Sequence, residues 1–182
     1  MTCLNYYYKE IFCRDMIIKM NYQNLFKCAK FSKIHVNFNS KYIVFEKKQV
    51  LAPFLALNMI TGQKPKLIRA KKSIASFKLK ARNLIGCYAT LRSAQMFHFI
   101  QNLTQIVFPR WKEFQHVKPF FLNQKAQVNI GLENFLLFPQ VERNVELFEH
   151  LSGCSITLQT TSRCKKETVL LLTGFKFPCS LI

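Results

Sequence analysis

Hydrophobic and polar positions along this 182-residue chain alternate between a helical and an extended period. In residues 6–20, Tyr8, Ile11, Phe12 and Met16 recur near helical spacing and predict a first helix. Residues 33–38 then alternate strictly, with Ile34, Val36 and Phe38 on one side of a strand and Lys33, His35 and Asn37 on the other. Residues 46–60 return to a helical pattern ending at Gly62, a C-terminal cap, and Pro53 demands a kink or a late start. Short strands are expected over 66–70 and 86–92, the second sending Cys87, Ala89 and Leu91 one way and Tyr88, Thr90 and Arg92 the other. Ser93 is expected to cap a helix over 94–108, with Phe97, Ile100 and Leu103 on its buried side, flanked by Met96, Phe99 and Val107, and Pro109 at its end. Residues 113–127 read as a polar loop, 128–132 as a strand, 135–138 with Pro139 as a short buried turn, 155–161 as the last strand, and 167–172 as a closing helix capped at Gly174.

Together these strands make a sheet with one apolar face for the helices and one polar face. The polar face offers Lys33, Asn37, Tyr88, Thr90, Arg92, Asn129, Thr157 and Gln159. An antiparallel sheet can leave one side in water. Amides, hydroxyls and cations, without matching carboxylates, are suited to phosphate, ribose and base-edge contacts. The length and the absence of internal repeats fit one domain over 1–182.

Charge sharpens that picture. The chain carries 27 Lys and Arg against 9 Asp and Glu, a net +18, with an ordinary 49% of hydrophobic residues. Nine of the cations fall between residues 60 and 92, and no acid occurs from Lys47 to Lys112. Like charges repel, so a basic stretch is normally interleaved with carboxylates. Here the counter-charge is expected from a polyanionic partner, and nucleic acid fits best. The connection over 71–85 lies inside this window and is too long for a tight turn, so it reads as functional or mobile. Four of the nine acids gather late, at Glu133, Glu142, Glu146 and Glu149.

Other chemistries find no support. Seven cysteines at irregular spacing, with no CxxC pair, argue against a disulfide framework or zinc ribbon and for a reducing compartment. His35, His98, His116 and His150 share no ligand spacing. Gly62-Gln63-Lys64 lacks the rest of a phosphate-binding loop, and no nucleophile elbow or carboxylate pair is visible. The apolar run 50–60 is too short to span a bilayer, and the N-terminus lacks a secretory-signal pattern. No enzyme activity, cofactor, metal, membrane or small-molecule substrate is expected. Most of the 18 phenylalanines fall on the inward periodicity and read as core.

Thr61-Gly62-Gln63-Lys64-Pro65, Arg69-Ala70-Lys71-Lys72-Ser73-Ile74-Ala75-Ser76-Phe77-Lys78 and Ile85-Gly86-Cys87 closely resemble one family. It is the fifth ribosomal protein of the large subunit, which binds 5S ribosomal RNA in the central protuberance. The likeness continues through Thr90-Leu91-Arg92, Pro109-Arg110, Phe114, Gly131 and Phe138-Pro139, covering about residues 8–178. The resemblance implies an α+β fold whose antiparallel sheet carries helices on one face and RNA on the other. It implies that Asn37, Gln63 and Thr90 touch 5S rRNA; Gln63 enters through the resemblance alone. Lys33, Tyr88 and Arg92 of the polar face, and Lys64, Lys66 and Arg69 of the basic window, complete the RNA-binding candidates. It also implies that the loop with Lys71, Lys72, Ser73, Phe77, Lys78, Lys80 and Arg82 reaches P-site tRNA and the small-subunit head. The implied partners are 5S rRNA, large-subunit rRNA, P-site tRNA, and neighbouring proteins of the large subunit and small-subunit head. The family's glycine-rich turns are replaced at residues 39–42 and 122–127, so both loops are expected to be rebuilt. Residues 148–150 and 170–175 are similar to mitochondrially encoded members, making a mitochondrial ribosome the first expectation and a plastid or bacterial one the second. A free-standing organellar RNA chaperone or nucleic-acid-binding protein is the alternative.

Overall fold

The computed structural model describes residues 3–39, 43, 47–111, 120–121, 127–148, 151 and 153–177. The fold is α+β: an antiparallel six-stranded sheet in the order β2-β3-β1-β6-β5-β4, accompanied by helices. The strands are β1 (Phe31–Asn39), β2 (Lys66–Arg69), β3 (Leu84–Leu91), β4 (Phe120–Phe121), β5 (Gln127–Leu132) and β6 (Cys154–Thr160). β2 pairs antiparallel with β3, and β4 with β5. The N–H of Thr161 donates to Lys30 O (2.9 Å), joining the residue after β6 to the one before β1, as only an antiparallel pair allows. The chain gathers into two compact units: Met1–Ile34, Leu91–Ile130 and Thr157–Ile182 form the first, and His35–Thr90 with Gly131–Ile156 the second.

In the first unit, α1 (Cys3–Tyr7), a wider π turn (Tyr8–Phe12) and α2 (Cys13–Met20) follow one another without a break. Phe12, Cys13 and Met16 are buried, whereas Ile11 is half in solvent, against the sequence pattern. The π turn supplies the reason, since five residues per bond shift the periodicity by one position. The next helix, α3 (Leu51–Thr61), belongs to the second unit. The following one, α4 (Ser93–Asn102), continues through a π turn (Leu103–Val107) into α5 (Phe108–Arg110) and packs on α1. Met96, Phe99, Ile100, Leu103 and Val107 are buried, and Phe97 is half-buried. Ser93 is not the cap. Arg92 is the extended residue before the helix, Ser93 sits within it at φ 50°, and no side chain closes that end. Pro109 does not itself end the helix, which runs one residue further to Arg110 and stops at extended Trp111.

The second unit holds α3, α6 (Pro139–Glu142) and α7 (Val145–Phe148), and α3 packs on both. Pro53 lies in the first turn of α3, so the helix starts late after a 3-10 turn (Lys47–Val50) rather than kinking. Gly62 caps it in the left-handed conformation (φ 63°), with its N–H donating to Asn58 O at 2.9 Å. The expected turn at 135–138 is a 3-10 turn (Phe135–Leu137), fixed by Asn134 Oδ1 accepting from Leu136 N–H at 2.9 Å. Phe38 and Phe135 meet in its core with ring centroids 5.5 Å apart. Strand β4 carries no periodic signal and falls in the expected polar loop. Residues 113–119 and 122–126 of that loop lie outside the described residues, as do 40–42, 149, His116 and His150.

The closing helix α8 (Lys165–Gly174) returns to the first unit and begins earlier than its apolar residues suggested. Buried Glu167 accepts from Arg163 N–H at 2.7 Å, tying the chain just before the helix. Phe175, directly after α8, gathers Tyr7, Tyr8, Phe12, Phe31 and Phe97, with centroids between 5.1 and 6.4 Å. Gly174 is therefore not a cap. It is the last residue of the helix, has no positive φ, and a Cβ there would run into the Phe12 ring. Gly174→Ala should force that ring out of its stack and lower stability by about 1–3 kcal/mol. Urea unfolding of the two proteins checks it, and equal midpoints would mean the ring yields freely.

Candidate nucleic-acid interface

Alternation puts the polar side chains where the apolar ones dictate. Burying Ile34, Val36 and Phe38 of β1 leaves Lys33, His35 and Asn37 half-buried on the opposite side. In β3 the buried Cys87, Ala89 and Leu91 leave Tyr88 and Thr90 there. Residues paired across an antiparallel ladder share a side. Lys66 pairs with Tyr88 and so joins Tyr88 and Thr90, while Leu67 pairs with Cys87 on the other side. Arg92, expected on the strand, lies just past its end, exposed, as the residue preceding α4.

Within the second unit, the Thr90 hydroxyl lies 2.9 Å from His35 Nδ1. The alternation of β1 places His35 on its polar side, but nothing in the sequence points to its link with Thr90. Behind them, Gly86 accepts a close crossing, since a Cβ would meet Phe38 O and Asn39 Oδ1. Gln63 reaches the same unit through the turn after α3. Thr61 Oγ1 donates to Leu57 O (2.6 Å) and to Gln63 O (3.1 Å), and Gln63 N–H lies 3.3 Å from Thr61 Oγ1. Those bonds pin the Gln63 backbone and leave its amide side chain half-buried at the start of the basic window.

The loop between β2 and β3 runs over residues 70–83, two shorter than expected at its far end, because Leu84 already pairs with Arg69. It carries its own bonds. At the base, Ala70 N–H donates to Asn83 O (2.8 Å) and Arg82 N–H to Ala70 O (2.9 Å). At the tip, Ile74 and Leu79 exchange N–H···O bonds of 2.9 and 3.1 Å around a 3-10 turn (Ala75–Phe77). Lys78 and Arg82 hold left-handed conformations (φ 52° and 67°), which cost a non-glycine residue about 1–2 kcal/mol each. Phe77 stands 71% exposed at the tip. Lys64, Lys66, Arg69, Lys71, Lys72, Lys78, Lys80 and Arg82 are all exposed or half-buried, Ser73 is exposed, and none of the eight cations forms an ion pair with a described carboxylate.

The first unit contributes fewer groups. Lys33 and Gln159 are half-buried, and Thr157 Oγ1 donates to Asn129 Oδ1 at 2.5 Å, so these two polar residues satisfy each other. Among the described residues no group of His, Cys, Asp and Glu could hold a metal ion, and no helix is long and apolar enough to cross a membrane.

A model of the C-terminus of the ribosomal L5 family matches residues 84–179. Near-full-length relatives go with it. The large ribosomal subunit protein uL5m of Reclinomonas americana is 39% identical over 178 residues, 98% of each chain. The chain belongs to the ribosomal L5 family. The uL5m protein of Prototheca wickerhamii is 36% identical, over 97% of this chain and 83% of its own. The bacterial uL5 of Variovorax paradoxus (strain S110) is 32% identical over 98% of each. The two uL5m relatives set the chain among the mitochondrial members, and the family role is structural, not enzymatic.

Behind the polar side, burial pushes the thiols of Cys87 and Cys154 up to about 12. At pH 8 the thiolate of such a group is populated at roughly one part in ten thousand. Iodoacetamide should therefore leave Cys87 and Cys154 unlabelled in the native protein while exposed Cys164 reacts. Peptide mass mapping reads this, and native labelling of Cys87 at the Cys164 rate would contradict the packing.

Proposed function

We propose that this protein is a structural constituent of the large subunit of a mitochondrial ribosome that binds 5S rRNA in the central protuberance. Residues 1–182 act as one RNA-binding domain in this reading. Asn37, Gln63, Tyr88 and Thr90 supply polar contacts to ribose and base edges. Lys33, Lys64, Lys66, Arg69 and Arg92 neutralise phosphates. The loop bearing Lys71, Lys72, Ser73, Phe77, Lys78, Lys80 and Arg82 extends to P-site tRNA and the small-subunit head, where neighbouring proteins complete the setting. The observation that carries the reading is the set of eight solvent-accessible cations between Lys64 and Arg82, unmatched by described carboxylates, next to a polar strand surface. Phosphate neutralisation releases condensed counterions, and A-form RNA offers its 2′-hydroxyls across a shallow minor groove.

Affinity for 5S rRNA should fall steeply with salt, with a log–log slope near −0.9 per phosphate contact in duplex regions. Filter binding across a salt series measures it, and a flat response would count against the reading. Asn37→Ala should cost about 1–3 kcal/mol of RNA affinity by leaving its partners unpaired, with the melting temperature unchanged. Thr90→Ala should behave alike while also removing the hydroxyl that lies 2.9 Å from His35 Nδ1. Undiminished affinity would remove either residue from the interface. Co-sedimentation with the large subunit through a moderate salt wash separates a ribosomal protein from a free-standing RNA chaperone.

A further inference from the structure

We infer that the segment joining α2 to β1, residues 21–30, is an additional RNA contact in which Phe26 stacks on an unpaired base. The inference rests on the RNA-binding reading above and extends it to a part of the first unit that the polar strand surface does not include.

Phe26 is 101% exposed, and its neighbour Leu25 is 61% exposed. A fully hydrated ring contributes nothing to the core, although Cys28, Ala29 and Phe31 a few residues later are buried. The chain holds it there by a built turn. Asn21 caps α2 in the left-handed conformation (φ 50°), and Leu25–Lys27 form a 3-10 turn closed by Cys28 N–H donating to Leu25 O at 3.2 Å. Tyr8 Oη donates to Ala29 O at 3.0 Å, and Lys30 N–H lies 3.1 Å from Thr161 Oγ1, anchoring the segment's far end. The ring is thus presented on an ordered platform.

The surroundings choose the partner. The sequence contains no acid between Asp15 and Glu46. Lys19, Lys27 and Lys30 are exposed around the turn, with the amides of Gln23 and Asn24. Asn24 holds the extended N-cap position of the 3-10 turn, yet its side chain makes no capping bond. Glu167, the carboxylate felt by Tyr22, is buried and engaged with Arg163 N–H. An aromatic face beside cations and amides is the inventory for an unpaired base and its flanking phosphates. Apart from Leu25, Phe26 and the exposed Ile18 of α2, the surface around the turn is polar and basic, which suits an unpaired base and its phosphates better than the broad apolar core of a protein interface.

The test uses the full chain bound to in vitro transcribed 5S and large-subunit rRNA of the same organelle. Irradiation at short wavelength should yield a nucleotide adduct on the tryptic peptide covering residues 20–27, which contains Phe26. Adducts on loop 70–83 peptides without one on 20–27 would overturn this site and leave the RNA-binding reading standing. No adduct on any peptide would overturn both. In filter binding with the same RNAs, Phe26→Ala should bind about tenfold more weakly and Phe26→Trp at least as well as the parent. Equal affinity of Phe26→Ala and the parent overturns the proposal, and the exposed position ensures that both variants fold.

Discussion

The side-chain alternation of an antiparallel strand is the constraint on which the rest depends. In β1, sinking Ile34, Val36 and Phe38 into the core leaves no freedom over Lys33, His35 and Asn37, which must face the other way. The same holds for Cys87, Ala89 and Leu91 against Tyr88 and Thr90 in β3. A slip of one residue would bury a lysine and expose a phenylalanine. The apolar core therefore aims the polar groups, and hydrophobic burial decides which way they face.

Charge works against the fold at one place and is contained there. The β2–β3 connection brings Lys71, Lys72, Lys78, Lys80 and Arg82 together in water, where like charges repel within a screening length. Two pairs of backbone bonds, one at Ala70 and one between Ile74 and Leu79, close the loop at its base and tip. Left-handed Lys78 and Arg82 are part of that closure. A loop that must bear concentrated charge and unfavourable backbone conformations gains from a partner that supplies anions. The aromatic cluster around Phe175 does the opposite, drawing rings of the first unit into the core and leaving Phe26 outside it.

Glycine shows where reading residues one at a time stops. Gly62 was legible as a cap because a helical pattern halts there, and its left-handed φ bears this out. Gly174 presents the same local signal, a glycine after an apolar helix, but serves a different purpose. The helix ends on it without a left-handed φ, and the missing Cβ makes room for the Phe12 ring from the far end of the chain. Likewise Gly86 admits the end of β1. Long-range approach leaves no mark on neighbouring residues, so only the packed chain reveals it.

The sequence by itself determined the strands that carry the polar groups, the end of α3 at Gly62, and the concentration of positive charge, because period, a glycine stop and charge count are local properties. Family membership was likewise legible from a contiguous motif. Only the tertiary structure decided that Thr90 meets His35, that Thr61 pins Gln63, that the basic loop closes on itself, and that Phe26 stays in water while Phe175 is enclosed. Each of these depends on which distant segments pack together, and burial is a property of the folded chain rather than of any residue in it.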